Sequence, residues 1–144
     1  MNRQSLKGLG TILLAIAAVA LVAGGCASYP KPANVQSVQC TTKKIEWNVA
    51  PEAEVSNFDC QVGNHEGAPT LIVTMDIKNI TDKPLRYKAQ VFLDDMDKAY
   101  GALVPTKGKP PVVNPGESAS VKLPFVKTDT MSKHMTVFVK TMSD

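Results

Sequence analysis

Apolar and polar residues alternate with a period of two over most of the chain beyond residue 40. The pattern is clearest from Thr70 to Asn79, where Leu71, Val73, Met75 and Ile77 occupy every second position. Successive side chains of a β-strand point to opposite faces, so this alternation predicts a strand with one buried face. Helical periodicity is scarcely visible, and turn residues recur every eight to twelve positions. The sequence therefore predicts an all-β fold, a single small antiparallel β-sandwich of the immunoglobulin-like kind.

Seven segments carry this strand pattern, namely 44–49, 55–62, 70–79, 85–94, 100–104, 118–126 and 134–142. Residues 114–117 read Asn-Pro-Gly-Glu and predict a type II turn, in which glycine supplies the positive φ. Pro124 lies inside the sixth segment and indicates an edge strand or a bulge, because proline has no N–H to donate. A single helical turn capped by Asp129 is expected at 128–133.

The third and fourth segments are joined by turn residues, Ile80-Thr81-Asp82-Lys83-Pro84, so we expect them to pair as a hairpin. The register that buries both apolar sets on one side places Ile72 beside Phe92 on the outer, polar face. An apolar pair surrounded by polar groups is typical of an interface, which makes Ile72 and Phe92 the candidate partner patch. The structural alternative is that another segment covers these two side chains.

The first 26 residues have the pattern of a bacterial export signal. Arg3 and Lys7 precede an uncharged apolar run at 9–23, and small residues then lead to Cys26. The stretch 21–26, Leu-Val-Ala-Gly-Gly-Cys, resembles a lipobox, the recognition site of lipoprotein signal peptidase. The resemblance implies cleavage before Cys26 and attachment of acyl chains such as palmitate to its thiol. An uncleaved transmembrane anchor needs about 20 apolar residues, and this run is shorter.

The export signal sets the expected domain organisation and location. Residues 1–25 are the signal peptide, 26–39 the lipidated cysteine with a flexible tether, and 40–144 the β-sandwich domain. In Gram-negative lipoproteins, an aspartate directly after the lipidated cysteine signals retention in the inner membrane. Ala27 occupies that position here, so we expect a lipid anchor on the periplasmic face of the outer membrane.

Charge removes nucleic acid from the expected partners. The 144-residue chain has 16 basic and 13 acidic residues, a formal charge of +3. Loss of Arg3 and Lys7 with the signal peptide leaves 14 basic residues and a formal charge of +1 on 119 residues. A nearly neutral chain of mixed sign has no electrostatic surface for nucleic acid. The expected contacts are the membrane, through Cys26, and an envelope protein.

Two cysteines remain after Cys26, and disulfides persist outside the cytoplasm. We expect Cys40 and Cys60 to be bonded to each other, which closes a loop of about 20 residues and contributes about 3 kcal/mol. Two free thiols or a metal site are the alternatives. A metal site would need more ligands than two cysteines and the distant His65.

The sequence indicates no enzyme, cofactor or metal. His65 and His134 are the only histidines, and neither lies in a motif that supplies a nucleophile, a base and an orienting group. Asp94, Asp95 and Asp97 cluster as calcium ligands do, but the spacing lacks the glycine and glutamate of an EF-hand loop. We therefore interpret 94–97 as a solvated hairpin tip.

From about Leu71 to Met142 the chain resembles the small bacterial lipoproteins of the YcfL type, a family of periplasmic β-domains. The resemblance rests on the lipobox, the strand end Ile77-Lys78-Asn79, the strand 87–94, the Pro115-Gly116 turn and the closing Val137-Phe138-Val139. It implies a sandwich-like β fold and no enzymatic activity. We accordingly expect a non-catalytic protein-binding module of the envelope. An accessory lipoprotein of a secretion machine and a small-ligand binding domain are the alternatives.

Overall fold

A computed structural model describes residues 31–142. Seven strands account for most of this range: β1 Lys44–Val49, β2 Ala53–His65, β3 Ala68–Asn79, β4 Arg86–Leu93, β5 Lys98–Val104, β6 Ser118–Val126 and β7 His134–Met142. Residues 31–142 contain no helix of the length and apolar character needed to cross a bilayer. The predicted signal peptide and the lipidated Cys26 lie outside the described residues.

The strands form two sheets that pack against each other, so the predicted β-sandwich is confirmed. One sheet has four strands in the order β1-β7-β4-β5, and the other has three in the order β2-β3-β6. All neighbours are antiparallel except β1 and β7, which run parallel with Lys44 opposite His134. That parallel pair departs from the purely antiparallel sandwich that the sequence predicts.

The core lies between the sheets and is made by the alternating apolar sets. Leu71, Val73 and Ile77 of β3 are fully buried, as are Tyr87 and Leu93 of β4. The predicted hairpin between these strands is nevertheless wrong, because β3 and β4 belong to different sheets. Two strands that each need one buried face can meet side by side or face to face, and period-two alternation does not distinguish the two arrangements.

Residues 34–39 are part of the domain, which corrects that part of the predicted tether at 26–39. Residues 34–39 run parallel to the edge of β2, where the amide of Val55 donates to the carbonyl of Asn34 at 2.8 Å and that of Phe58 to Ser37 at 3.0 Å. Val35 is 1% exposed and belongs to the core. Burial of this valine and the backbone hydrogen bonds hold residues 34–39 against β2. The prolines at positions 30 and 32 give this part of the sequence the composition of a linker.

The predicted disulfide is confirmed. Cys40 and Cys60 are bonded, with their Cα atoms 4.8 Å apart and a sequence separation of 20. The bond joins the segment 34–40 to the middle of β2, the strand beside which Val35 lies. Trp47 of β1 contacts Phe58 edge to face at 4.9 Å between ring centroids, and this contact closes the same end of the core.

Two local predictions are confirmed and one is wrong. The amide of Glu117 donates to Asn114 at 3.0 Å and Gly116 has a φ of 75°, as a type II turn requires. Pro124 lies on β6, an edge strand of the smaller sheet. The segment 128–133 contains no helix.

The segment 128–133 stays irregular because its polar groups have tertiary partners. Lys98 Nζ donates to the carbonyl of Lys127 at 2.7 Å and to the hydroxyl of Thr128 at 2.6 Å. Ser132 Oγ donates to the carboxylate of Asp95. These bonds hold the segment against the β4–β5 hairpin and compete with the local bonds that a helical turn would need.

Candidate partner-binding face

The two residues of the predicted partner patch do not lie together. Ile72 is on β3 in the three-stranded sheet, and Phe92 is on β4 in the four-stranded sheet. Each alternates with buried neighbours and is itself half-buried, so each faces outward from its own sheet. The predicted adjacency of Ile72 and Phe92 is therefore wrong, and the two outer faces must be considered separately.

The outer face of the three-stranded sheet is polar, and its side chains bond to each other. The carboxylate of Asp76 accepts from Asn57 Nδ2 at 2.8 Å and from Ser120 Oγ at 2.5 Å. Ile72 lies in the register between Gln61 and Pro124. Its apolar neighbours on this face are Pro124 and Val126, of which Val126 is 47% exposed, and these three residues include no aromatic ring.

The outer face of the four-stranded sheet carries an aromatic pair. Phe92 of β4 and Phe138 of β7 contact each other edge to face, with ring centroids 5.5 Å apart and planes inclined by 76°. Both rings are half-buried and lie outside the core. Phe138 is absent from the predicted patch, although its alternation with the buried Val137 and Val139 indicates that it points outward.

Cations adjoin this aromatic pair. Lys88 of β4 lies directly opposite Lys140 of β7, and Lys140 Nζ is 5.4 Å from the centroid of the Phe138 ring. Like charges at opposed positions destabilise a sheet by a few tenths of a kcal/mol. Within residues 31–142, neither Lys88, Lys140 nor Arg86 forms an ion pair, whereas Glu46 on the same face is paired with Lys44 at 2.5 Å. We call Arg86, Lys88, Phe92, Phe138 and Lys140 together the aromatic–basic face.

A glycine on β5 leaves room for the Gln90 side chain on this face. Gly101 of β5 lies opposite Gln90 of β4, which is opposite Phe138 of β7. A Cβ atom on Gly101 would come within 2.7 Å of Gln90 Cγ. A side chain at position 101 would therefore require the Gln90 side chain to move.

The acidic cluster is the β4–β5 hairpin tip, and its carboxylates have protein partners. Asp95 accepts from Ser132 Oγ and from the amide of Lys133 at 3.0 Å, and Asp94 accepts from Thr136 Oγ1 at 2.8 Å. These hydrogen bonds lower the pKa of Asp95 from 3.8 to about 2. The tip is thus anchored to the loop before β7 rather than merely solvated. In the described part of the chain, no group of three His, Cys, Asp or Glu side chains is placed to hold a metal ion.

The two histidines take structural surface positions. His65 ends β2, with Nε2 3.9 Å from the carboxylate of Glu66. His134 begins β7 and is exposed, and its backbone carbonyl accepts from Ser132 Oγ at 2.7 Å. The contacts of these side chains do not include a serine, threonine or cysteine nucleophile within residues 31–142.

Two shallow depressions lie where β5 meets the other elements. One, of about 280 Å³, is bounded by Phe92, Asp94, Asp97 and Ala99. The other, of about 410 Å³, is bounded by Tyr100, Phe125 and Val126 among others. Both open widely to solvent. Small-molecule sites are enclosed and bury most of their ligand, so the aromatic–basic face is the stronger candidate for a site. Comparison with protein-family models, with curated proteins and with solved structures found no match.

Proposed function

We propose that this chain is a lipoprotein of the bacterial envelope, attached through lipid on Cys26 to the periplasmic face of the outer membrane. Its β-sandwich is a non-catalytic module that binds another envelope protein through the aromatic–basic face. The observation that carries the proposal is the Phe92–Phe138 ring pair lying beside cations that have no ion-pair partner within residues 31–142. Aromatic side chains and arginine are enriched at the centres of protein interfaces.

The charges indicate the chemistry of the partner. Lys88 and Lys140 repel each other across the β4–β7 pair, and an anionic group placed between them would remove that repulsion. The adjacent rings add an apolar contact whose edge-to-face geometry leaves ring surface for a second apolar side chain. The partner segment that fits is therefore one in which acidic and apolar side chains alternate.

The short connection to the membrane limits where this partner is found. Asn34, the first residue that bonds to β2, lies eight positions after Cys26. At about 3.1 Å per position in an extended chain, eight positions span about 25 Å. The domain therefore operates close to the bilayer, and its partner is an integral membrane protein or another tethered protein of the same leaflet.

The proposal is tested by capturing the lipidated protein from native membranes after reversible cross-linking. The variants to compare are Phe138→Ala, the double change Lys88→Glu with Lys140→Glu, and Ile72→Ala as the matched control on the opposite sheet. We expect one envelope protein with the wild type and the control, and at least tenfold less with the other two, equivalent to about 1.4 kcal/mol. Equal recovery with all variants would contradict the proposal.

The identity of the captured protein separates the specific versions of this function. A component of a secretion complex would make the chain an accessory lipoprotein of that machine. The anchor is tested separately with Cys26→Ser, which should leave an uncleaved precursor without acyl label. A mature-sized, acylated Cys26→Ser product would overturn the lipid anchor and leave the binding face untouched.

A further inference from the structure

The chain enters the sandwich at the same end as three of its loops. Strands β1, β3, β5 and β7 end there, and β2, β4 and β6 begin there. Asn34 marks the entry point, because its Nδ2 donates to the carbonyls of Ala50 at 3.2 Å and Ala53 at 3.0 Å. We define the entry end as Lys31 and the loops 50–52, 80–85 and 105–117, and the far end as the loops 40–43, 66–67, 94–97 and 127–133.

Hydrogen bonds fix the two longer loops of the entry end side by side. The side chain of Asn79 is fully buried, and its Nδ2 donates to the carbonyls of Lys83 at 2.6 Å and Val113 at 2.9 Å. The amide of Leu85 donates to the Val113 carbonyl at 3.0 Å, and the amide of Val113 donates to the Leu85 carbonyl at 2.7 Å. A buried polar network that is satisfied in this way makes its surroundings rigid. The lysines of both loops therefore project from one surface.

Four exposed lysines lie on the entry end. Lys83 follows β3, Lys107 and Lys109 lie between β5 and β6, and Lys31 is the first described residue. Within residues 31–142 none of the four forms an ion pair, although Lys31 Nζ donates to the carbonyl of Gln36. Their charges are therefore available to an anionic surface.

Three acidic residues accompany these lysines, and two of the three have protein partners. Glu52 is half-buried and accepts from Thr141 Oγ1 at 3.2 Å, and Glu117 accepts from Asn114 Nδ2 at 2.9 Å. The third, Asp82, is exposed. The entry end thus has four basic residues and three acidic ones, a net charge of +1.

The far end has the opposite charge balance. Its loops contain three basic residues and five acidic ones, a net charge of −2. These residues are Lys43, Lys127 and Lys133, and Glu66, Asp94, Asp95, Asp97 and Asp129. The domain is therefore electrically asymmetric along its strands, and an anionic surface attracts the entry end and repels the far end.

An exposed isoleucine lies among the lysines of the entry end. Ile80 is 48% exposed, and its amide donates to the Glu52 carbonyl at 3.2 Å. This bond places Ile80 where the loops 50–52 and 80–85 meet. Apolar side chains flanked by basic residues bind at the boundary between lipid headgroups and acyl chains.

We propose that the entry end binds the anionic phospholipid headgroups of the bilayer that holds Cys26. The four lysines contact headgroup phosphates, and Ile80 enters the boundary with the acyl chains. This inference rests on the proposed lipid anchor and adds a second contact between the domain and the membrane. It also stands the strands upright on the bilayer, so that the aromatic–basic face points along the membrane surface toward a neighbouring protein.

The length of the chain before Lys31 selects the bilayer as the occupant. Lys31 lies five positions after Cys26, and five positions span about 16 Å in an extended chain. The nine residues of β7, which run from the far end to the entry end, span about 30 Å. Because the connection is shorter than the sandwich, the far end cannot be turned toward the bilayer. The lysines of the entry end stay close to the headgroups, where a field that decays over about 8 Å acts on them.

The test uses the full lipidated protein in vesicles whose headgroups carry a quencher, with a fluorophore on one introduced cysteine. Thr106→Cys labels the entry end and Thr130→Cys labels the far end, and both side chains are exposed. Cys26 is blocked by its lipid, and Cys40 and Cys60 are bonded to each other, so only the introduced thiol reacts. The vesicles are phosphatidylcholine with or without phosphatidylglycerol. We expect phosphatidylglycerol to raise quenching at position 106 about threefold and to leave quenching at position 130 unchanged.

Removal of lysines tests whether charge makes the contact. The triple change Lys83→Gln, Lys107→Gln and Lys109→Gln should return quenching at position 106 to its value in phosphatidylcholine alone. High salt should have the same effect, because it screens exposed charges. The matched control removes three exposed lysines from the far end and should leave quenching at position 106 unchanged. Its changes are Lys43→Gln, Lys127→Gln and Lys133→Gln.

Two results would overturn this docking. The first is equal quenching at position 106 in vesicles with and without phosphatidylglycerol. The second is unchanged quenching after loss of the three entry-end lysines, which would leave them to an acidic protein. Failure of the anchor itself is seen separately, because protein without lipid on Cys26 would not float with phosphatidylcholine vesicles.

Discussion

Replacement of Phe92 by alanine distinguishes a surface aromatic residue from a core one. The side chain is half-buried on the outer face of the sheet, and its ring contacts Phe138 edge to face, with the ring centroids 5.5 Å apart. Such a pair contributes about 0.5–1.5 kcal/mol beyond the burial of its area. Full burial of a phenylalanine side chain stabilises the fold by about 1.5–3 kcal/mol, and partial burial of Phe92 contributes part of that. We expect Phe92→Ala to lower the free energy of unfolding by about 1–2 kcal/mol.

The assay is chemical denaturation of the oxidised, mature protein, with Phe58→Ala as the matched control. Phe58 is fully buried and contacts Trp47 edge to face at 4.9 Å between ring centroids, so its loss should cost about 3–5 kcal/mol. A double-mutant cycle of Phe92→Ala with Phe138→Ala should give a coupling of about 0.5–1.5 kcal/mol.

Two outcomes would refute this reasoning. A loss of 3 kcal/mol or more for Phe92→Ala, comparable to that for Phe58→Ala, would make Phe92 a core residue and remove the aromatic–basic face as a binding surface. A coupling of zero in the cycle would mean that the two rings do not stabilise each other.

Three further changes test other parts of the structure. Cys60→Ala should lower the free energy of unfolding by about 2–4 kcal/mol in denaturation experiments, and rapid thiol labelling of the untreated native protein would contradict the disulfide. In the folded protein the pKa of Asp95 is lowered from 3.8 to about 2, so the carboxylate stabilises the fold fully above pH 3.8 and this contribution is lost as the pH falls toward 2. The wild type should therefore lose more stability over that range than Asp95→Asn. Identical pH profiles would contradict the anchoring of the hairpin tip. The Tyr87 hydroxyl donates to the Glu52 carbonyl at 3.0 Å, and burial raises the pKa of Tyr87 from 10.0 to about 12. Tyr87→Phe should therefore lower the free energy of unfolding by about 0.5–1.5 kcal/mol at neutral pH, and the variant should lose less stability than the wild type above pH 10. Equal losses above pH 10 would contradict the burial of the hydroxyl.

The strands could be predicted from the sequence because each carries its own burial pattern. The predicted bounds of 44–49, 118–126 and 134–142 coincide with β1, β6 and β7. The placement of β3 and β4 in different sheets could not be predicted, because alternation specifies which face of a strand is buried and does not specify which strands lie beside it. In the structure β3 lies between β2 and β6, and β4 lies between β7 and β5.

The candidate site could be predicted only in part, for the same reason. The outward position of Phe92 follows from alternation with Val91 and Leu93, and Phe138 follows by the same argument from its own strand. Their contact, and the opposition of Lys88 to Lys140, depend on β4 and β7, which are far apart in sequence, becoming neighbours.

The core position of Val35 was hidden by its surroundings. It lies in the segment Lys31-Pro-Ala-Asn-Val-Gln, which has no alternation of apolar and polar residues. This segment has the composition of a linker. Its burial arises from pairing with the edge of β2 at Val55. A single apolar residue that packs through tertiary contact leaves no periodic signal in the sequence.

In-cell photo-cross-linking is the most direct test of whether the aromatic–basic face contacts a partner in the envelope. A photoreactive amino acid is placed in turn at Gln90, Phe92 and Phe138, and on the opposite sheet at Ile72 and Thr74. We expect adducts with one envelope protein from the first three positions and at least tenfold weaker adducts from the other two. Adducts of equal strength from both sheets, or from Ile72 and Thr74 alone, would contradict it.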